Sequence, residues 1–238
     1  MRVLEIWRYP VKSLQGEQVG AVEVTEQGLA GDRRWALFDV ESGFGLTARR
    51  EPGLLFASAA AAPDGGVRIT LADGSRLDDD DALSDWLGRP VELRSTDQQV
   101  DRRYEDPTDF ENEQTAPWEP FDGAHGAFHD TEGAMVTVLS TTTIGDWDRR
   151  RFRPNLLVDG TGEDDLVGST VRAGTAVLAV TRPIGRCVMT TRPQPDGIDK
   201  DLDVLRTIHR QRGGDLAIGA SVVRTGRVSV GDELLGED

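Results

Sequence analysis

The 238-residue sequence predicts a mainly β (α+β) protein: two β-barrel-like halves with a few peripheral helices. Two observations carry this. Short runs of β-branched and apolar residues recur between Gly, Asp and Pro punctuation, as strands do. The pattern also occurs twice, over 1–95 and over 131–238, on either side of a polar, acidic, proline-bearing excursion at 96–130. A chain of this length holds one large domain or two small ones.

Taken in order, the first half predicts strands at Val3–Tyr9, Ala21–Thr25, Trp35–Val40, Leu54–Ala60, Val67–Leu71 and Val91–Arg94. Glycine-bearing turns at 41–43, 63–66 and 72–75 separate them, the spacing of a meander closing into a small barrel. Asp80–Leu87 reads as a short helix with acidic residues in its first turn and Gly88 at its end. The excursion holds Trp118 and several Phe, and a connection of this length is usually functional or mobile. In the second half, strands are expected at Ala134–Leu139, Phe152–Val158 and Thr170–Val180, the last broken at Ala173-Gly174. Ser140 can cap a helix over Thr141–Arg149. Asp201–Gln211 predicts a helix with Leu202, Leu205, Ile208 and His209 inward. Leu216–Arg224 and Arg227–Val230 predict a closing hairpin through Thr225-Gly226.

Composition excludes several classes. There are 27 basic and 42 acidic residues, a net charge of −15. A field of that sign repels nucleic acid and anionic membrane surfaces. No apolar run approaches the roughly 18 residues of a membrane span. The polar N-terminus does not read as a signal peptide. With a single cysteine, the expected location is the cytoplasm, where thiols stay reduced. Only Lys12 and Lys200 are Lys. An acidic surface rich in Arg suits a high-salt cytoplasm or reflects a GC-rich genome.

Zinc-ligand spacings, a Walker loop, a dinucleotide glycine fingerprint and Gly-x-Ser-x-Gly are all missing. What remains is Cys187 in Gly185-Arg186-Cys187, followed by a polar loop. A lone cysteine is often an inert core residue. A thiolate beside a cation can instead act as nucleophile, sulfur carrier or soft-metal ligand. Basic residues also cluster at expected strand ends: Lys12, Arg33, Arg34, Arg49, Arg50, Arg153 and Arg186. Each alone reads as a surface ion pair; converging, they would make one positive site for an anion.

These motifs, in order, are Tyr9-Pro-Val-Lys-Ser13, Gly31-Asp-Arg-Arg-Trp35, Thr47-Ala-Arg-Arg-Glu-Pro52, Phe152-Arg-Pro-Asn155, Gly185-Arg-Cys187 with Thr190-Thr191, and Val228-Ser-Val-Gly-Asp232. The set resembles the MOSC family, named for the C-terminal domain of molybdenum cofactor sulfurase. It resembles the two-part form in which an N-terminal MOSC β-barrel domain precedes the MOSC domain, as in amidoxime reductases. The resemblance implies a molybdenum-cofactor oxidoreductase acting on N-hydroxylated or related small substrates. It makes Cys187 the catalytic molybdenum ligand. Lys12, Ser13, Arg33, Thr131, Arg153, Asn155 and Arg186 would hold the molybdopterin and its phosphate. The chain has no cysteines for an iron–sulfur domain, so a separate protein would donate electrons. Two rivals use the same residues: a sulfur carrier with a Cys187 persulfide, and a non-catalytic binding module for a pterin or similar anion. The segment 162–168 departs from the family by lacking tryptophan.

Overall fold

The computed structural model describes residues 1–98, 101–109, 112, 113 and 115–237; parts of the expected excursion, at 99, 100, 110, 111 and 114, lie outside the described residues. The mainly β expectation is met. The first half supplies β1 (Val3–Arg8), β2 (Glu17–Val19), β3 (Ala21–Thr25), β4 (Gly28–Leu29), β5 (Trp35–Asp39), β6 (Ala57–Ala61), β7 (Val67–Leu71), β8 (Arg76–Leu77), α1 (Asp80–Leu87) and β9 (Val91–Ser95). A hairpin of β10 (Arg103–Pro107) and β11 (Trp118–Asp122) lies within the excursion. Then come β12 (Val136–Ser140), α2 (Thr141–Ile144), β13 (Leu156–Val158), β14 (Thr170–Ala173), β15 (Ala176–Gly185), α3 (Leu202–Arg212), β16 (Asp215–Arg224), β17 (Gly226–Ser229) and β18 (Leu234–Gly236).

Pairing crosses the sequence halves. An eight-stranded sheet curls into a half-barrel in the order β18-β14-β15-β16-β12-β13-β1-β2. A second sheet runs β17-β3-β4. The first thirty residues therefore share a core with the end of the chain: Val3, Ile6, Val22 and Val24 pack with Val138, Leu156, Leu178, Ile218 and Val228. The β5-β9 and β6-β7-β8 sheets enclose a second core of Val11, Leu14, Leu37, Leu54, Leu55, Ile69, Leu83 and Val91. A third, under α3, joins Leu139, Phe152, Val204, Ile208 and Leu216. Each strand turns apolar side chains inward to remove them from water, the main favourable term in folding.

Several element expectations need correction. Pro52 opens a 3-10 turn over Pro52–Phe56, so the strand expected from Leu54 starts at Ala57. The helix after Ser140 stops at Ile144, where Gly145 takes φ 56. Arg153 at φ 52 and Pro154 delay the next strand to Leu156. In α3 the inward residues are Val204 and Ile208; Leu202 is 44% exposed and His209 is exposed. The closing hairpin does not form, because β17 leaves β16 and pairs with β3.

Three local features position the site. β12 and β13 are parallel, and parallel neighbours need a crossover; here it spans 141–155 and includes Arg153 and Asn155. β15 ends at Gly185, delivering Arg186 and Cys187 to the sheet's rim. The β10–β11 hairpin is pinned by Tyr104, whose buried ring fits where two glycines leave room. A Cβ at Gly45 would lie 2.3 Å from Tyr104 Cε1, and one at Gly123 would lie 2.5 Å from Cε2.

Gly45→Ala is expected to lower unfolding free energy by about 1–3 kcal/mol through this overpacking, read by urea titration. Gly20→Ala, where an added methyl meets nothing within 4 Å, stays within about 0.5 kcal/mol of the parent.

Candidate functional site

A cavity of about 320 Å³ opens at the rim, and Arg33, Arg49, Arg153, Arg186, Thr131 and Cys187 all line it. Four of the seven basic candidates thus converge there. Arg34 pairs with Asp97 at the surface, and Arg50 pairs with Glu105 and lies over Trp118, so these two belong elsewhere.

Tyr9 is the floor. Its ring is buried, with the Arg33 guanidinium 5.2 Å and the Arg153 guanidinium 4.4 Å from its centroid. Its hydroxyl donates to Pro154 O at 3.1 Å, and its backbone N–H donates to Asp32 Oδ1 at 2.6 Å. Burial pushes its pKa up to about 12, against the pull of Arg153, Arg149 and Arg33. Arg33 is ion-paired to Asp32. Ser13, Arg33 and Arg153 are three of the five non-glycine residues with positive φ among the described residues. Such a conformation costs about 1–3 kcal/mol and is kept where surrounding structure over-determines it.

Arg153 and Arg186 stand apart electrostatically. Arg153 donates to Leu14 O; Arg186 donates to Leu216 O at 2.7 Å and Phe152 O at 2.9 Å. Among the described residues neither has a carboxylate within 4.0 Å. Burial depresses both pKa values to about 10, with Arg33 adding like-charge repulsion at each. The Nη2 of Arg186 is buried with no hydrogen-bond partner among the described residues. A buried cation lacking an anion is a costly arrangement that an anionic ligand relieves.

Cys187 is half-buried, at the start of a 3-10 turn over Val188–Thr191, and its carbonyl accepts from Thr190 N–H at 3.1 Å and Thr190 Oγ1 at 3.0 Å. Arg49 lines the cavity with it, and Cys187 is the leading influence that favours the Arg49 charge. Burial lowers the Arg49 pKa, but Cys187, Asp106 and Glu113 together raise it above its ordinary value. Burial raises the Glu113 carboxyl, opposed by Arg49 and Arg192. Arg49 rather than Arg186 alone therefore attends the thiol, a role the sequence did not single out.

The other candidates act from behind the wall. Lys12 is 4% exposed, not the surface lysine its position allows; its ammonium donates to Phe128 O at 3.3 Å, pairs with Asp130 and lies 4.8 Å from the Tyr104 centroid. Ser13 Oγ accepts from Ala48 N–H at 3.0 Å, fixing the turn that bears Arg49. Asn155 is wholly buried. Its Oδ1 accepts from Thr137 N–H and Thr137 Oγ1, both at 3.1 Å, and its Nδ2 donates to Trp7 O at 3.1 Å. Its amide is thus occupied in joining β12 to the end of β1. Two wall residues escaped the sequence reading. Asp130 adjoins Thr131 and pairs with Lys12. Arg151 donates to Thr190 O at 3.0 Å and Asp199 O at 2.7 Å, clamping the loop after Cys187.

Residues 1–110 match the MOSC N-terminal beta barrel domain, and residues 127–235 match the MOSC domain. The chain belongs to the MOSC family. This family is linked to molybdenum-cofactor sulfurase-like and cofactor-binding domains. Among solved structures, YuaD from Bacillus subtilis is similar at TM-score 0.44 and 12% identity, over 98% of this chain and 93% of that one. YiiM from Geobacillus stearothermophilus is similar at TM-score 0.37 and 18% identity, over 59% of this MOSC chain and 75% of its own. YiiM from Escherichia coli gives TM-score 0.35 and 19% identity, over 59% and 65%. No curated protein sequence matches. Among the described residues, no helix is long and apolar enough to cross a membrane.

If the unpaired guanidinium groups await an anion, inorganic phosphate at ten times its dissociation constant should raise the melting midpoint by about 3–5 °C. Scanning calorimetry reads it. Arg153→Gln and Arg186→Gln should each lose most of that rise.

Proposed function

We propose that this MOSC protein is a molybdenum-cofactor-dependent oxidoreductase that reduces N-hydroxylated or related small substrates. One observation supports this above others: a buried guanidinium (Arg153) and a half-buried one (Arg186, with a buried, unmatched N–H donor), neither paired with a carboxylate among the described residues, share a cavity with a half-buried thiol. Such a cavity suits a ligand that is anionic at one end and soft at the other, the chemistry of a phosphate-bearing pterin carrying a metal. Arg153 and Arg186 would hold the phosphate through planar, paired donors. Arg33 and Lys12 would add positive potential, and Thr131 a hydroxyl. Ser13 and Asn155 would act indirectly, by holding the turn and strands that present these cations.

Cys187 would give the metal one thiolate, with the remaining ligands coming from the cofactor's own sulfurs. When bound, the cofactor would supply the two-electron exchange that side chains lack. Every other task falls to the polypeptide. Arg49 holds the sulfur from one side, itself fixed by Asp106 and Glu113. Phe121 and Met189 give the wall an apolar face, which sheds water from a small substrate's non-reacting surface. Cleaving an N–O bond consumes two electrons and two protons and releases water. The electrons would come from a separate donor protein.

Protein made in a cofactor-competent host should contain close to one molybdenum per chain. It should reduce an N-hydroxylated amidine with a chemical reductant, and Cys187→Ser should lower that rate by about 100-fold or more. Wild type lacking molybdenum would overturn the reading. A persulfide on Cys187 by mass spectrometry would then favour sulfur carriage, and phosphate binding alone a non-catalytic module.

A further inference from the structure

The anion site already has an anion at its mouth. Phe128 and His129 are buried, and the Phe128 N–H is anchored to Arg33 O at 2.7 Å. The next residue, Asp130, breaks out of this packing: its side chain lines the cavity and is 78% exposed. Its carboxylate pairs with the nearly inaccessible Lys12 ammonium below. Crowding by protein disfavours ionisation, but Lys12, Arg33 and Arg153 more than offset it and hold the carboxyl well below the usual carboxylate range. With most of the side chain open to solvent, the cations decide the outcome. Asp130 also lies close enough to Arg186 to bear on its charge.

We propose that Asp130 is the resident counter-ion of this pocket and sets how tightly the pocket takes a phosphate group. This rests on the anion-binding part of the function proposed above. A carboxylate and a phosphate present the same oxygen chemistry to an ammonium or guanidinium. An arriving phosphate therefore meets Asp130 as a like charge and as a rival for Arg33 and Arg153, which line the cavity, with Lys12 behind them. Lys12 is buried and cannot move aside, whereas the exposed Asp130 side chain can turn outward. Displacing Asp130 costs every anion alike, and a doubly charged phosphate ester repays it through stronger attraction to the cations than a weakly charged ligand can, so Asp130 acts as a specificity determinant. Without it, the pocket would hold any small anion more firmly.

The test is calorimetric titration of wild type, Asp130→Asn and Asp130→Glu with inorganic phosphate. Asp130→Asn should bind phosphate roughly ten-fold more tightly than wild type, and Asp130→Glu should resemble wild type. Asp130→Ser, a second neutral variant, should match Asp130→Asn, and melting midpoints without phosphate establish that each variant is folded. Binding seen only in the neutral variants also supports the proposal. A neutral variant that binds phosphate as wild type does, or more weakly, overturns the role of Asp130 alone. Wild type and neutral variants all indifferent to phosphate overturn the anion-binding reading together with it.

Discussion

Gathering several like charges around one small space, largely out of water, is the constraint that orders the rest of this structure. A guanidinium taken from water loses several kcal/mol of hydration, and neighbouring cations add repulsion. The chain meets this cost differently at each position. Arg33 has Asp32, Lys12 has Asp130, and Arg49 has Asp106 and Glu113. Among the described residues Arg153 and Arg186 meet carbonyl oxygens and aromatic faces and no carboxylate: Tyr9 lies under Arg153, and Phe152 beside Arg186 at 5.6 Å. Neutral partners of this kind orient a cation without cancelling its charge. The cluster is left short of negative charge at those two residues, and that is where a ligand has most to offer.

The topology explains how residues so far apart in sequence reach one cavity. Lys12 and Ser13 follow β1, Arg33 follows β4, Arg153 precedes β13, and Arg186 follows β15. Three of these strands belong to the same curled sheet and the fourth to the sheet joined by β17. Arg49 arrives from the opposite side, from the turn that Ser13 Oγ fastens. Phe152 and Ile184 of the third core line the cavity together with Met189, which packs on the second, so side chains from both are needed to close it. Three left-handed non-glycine residues sit at that junction because the chain must turn there while its side chains still point inward.

Much of this was legible in the sequence, and the rest was hidden for physical reasons. Alternation and turn glycines located Ala21–Thr25 and Val67–Leu71 to the residue, and the capping signals of α1 located that helix, since these signals are local. Strand partners are not local. Nothing near Gly226 says that β17 will leave its sequence neighbour for β3, two hundred residues away. The scarcity of lysine pointed to Lys12, but its burial depends on Tyr104 and Phe128 from the long excursion. Asn155 stood beside Arg153 in a motif, which cannot tell a ligand contact from a structural bond; its amide meets Thr137 and Trp7. Leu202 satisfies a helical period, yet it is the first residue of α3, beyond the contact made by Val204 and Ile208. Asp130 was overlooked because an acidic residue in a chain with 42 of them is unremarked until a lysine is found beneath it.

The loop after Cys187 is the part whose sequence says least, and its geometry is set from elsewhere. Arg151 binds Thr190 O and Asp199 O, while Arg150 reaches Pro195 O at 3.2 Å and Asp196 Oδ2 at 3.1 Å. Both arginines belong to the crossover that also supplies Arg153. Backbone carbonyls accept three of these four bonds, so the clamp places little demand on the loop's side chains beyond Asp196. A ligand spanning from Arg153 to the sulfur would therefore touch two ends of one braced unit. The distance between its anionic and soft ends is fixed by the crossover's length and by the parallel pairing of β12 with β13, which no substitution in the loop alone can alter.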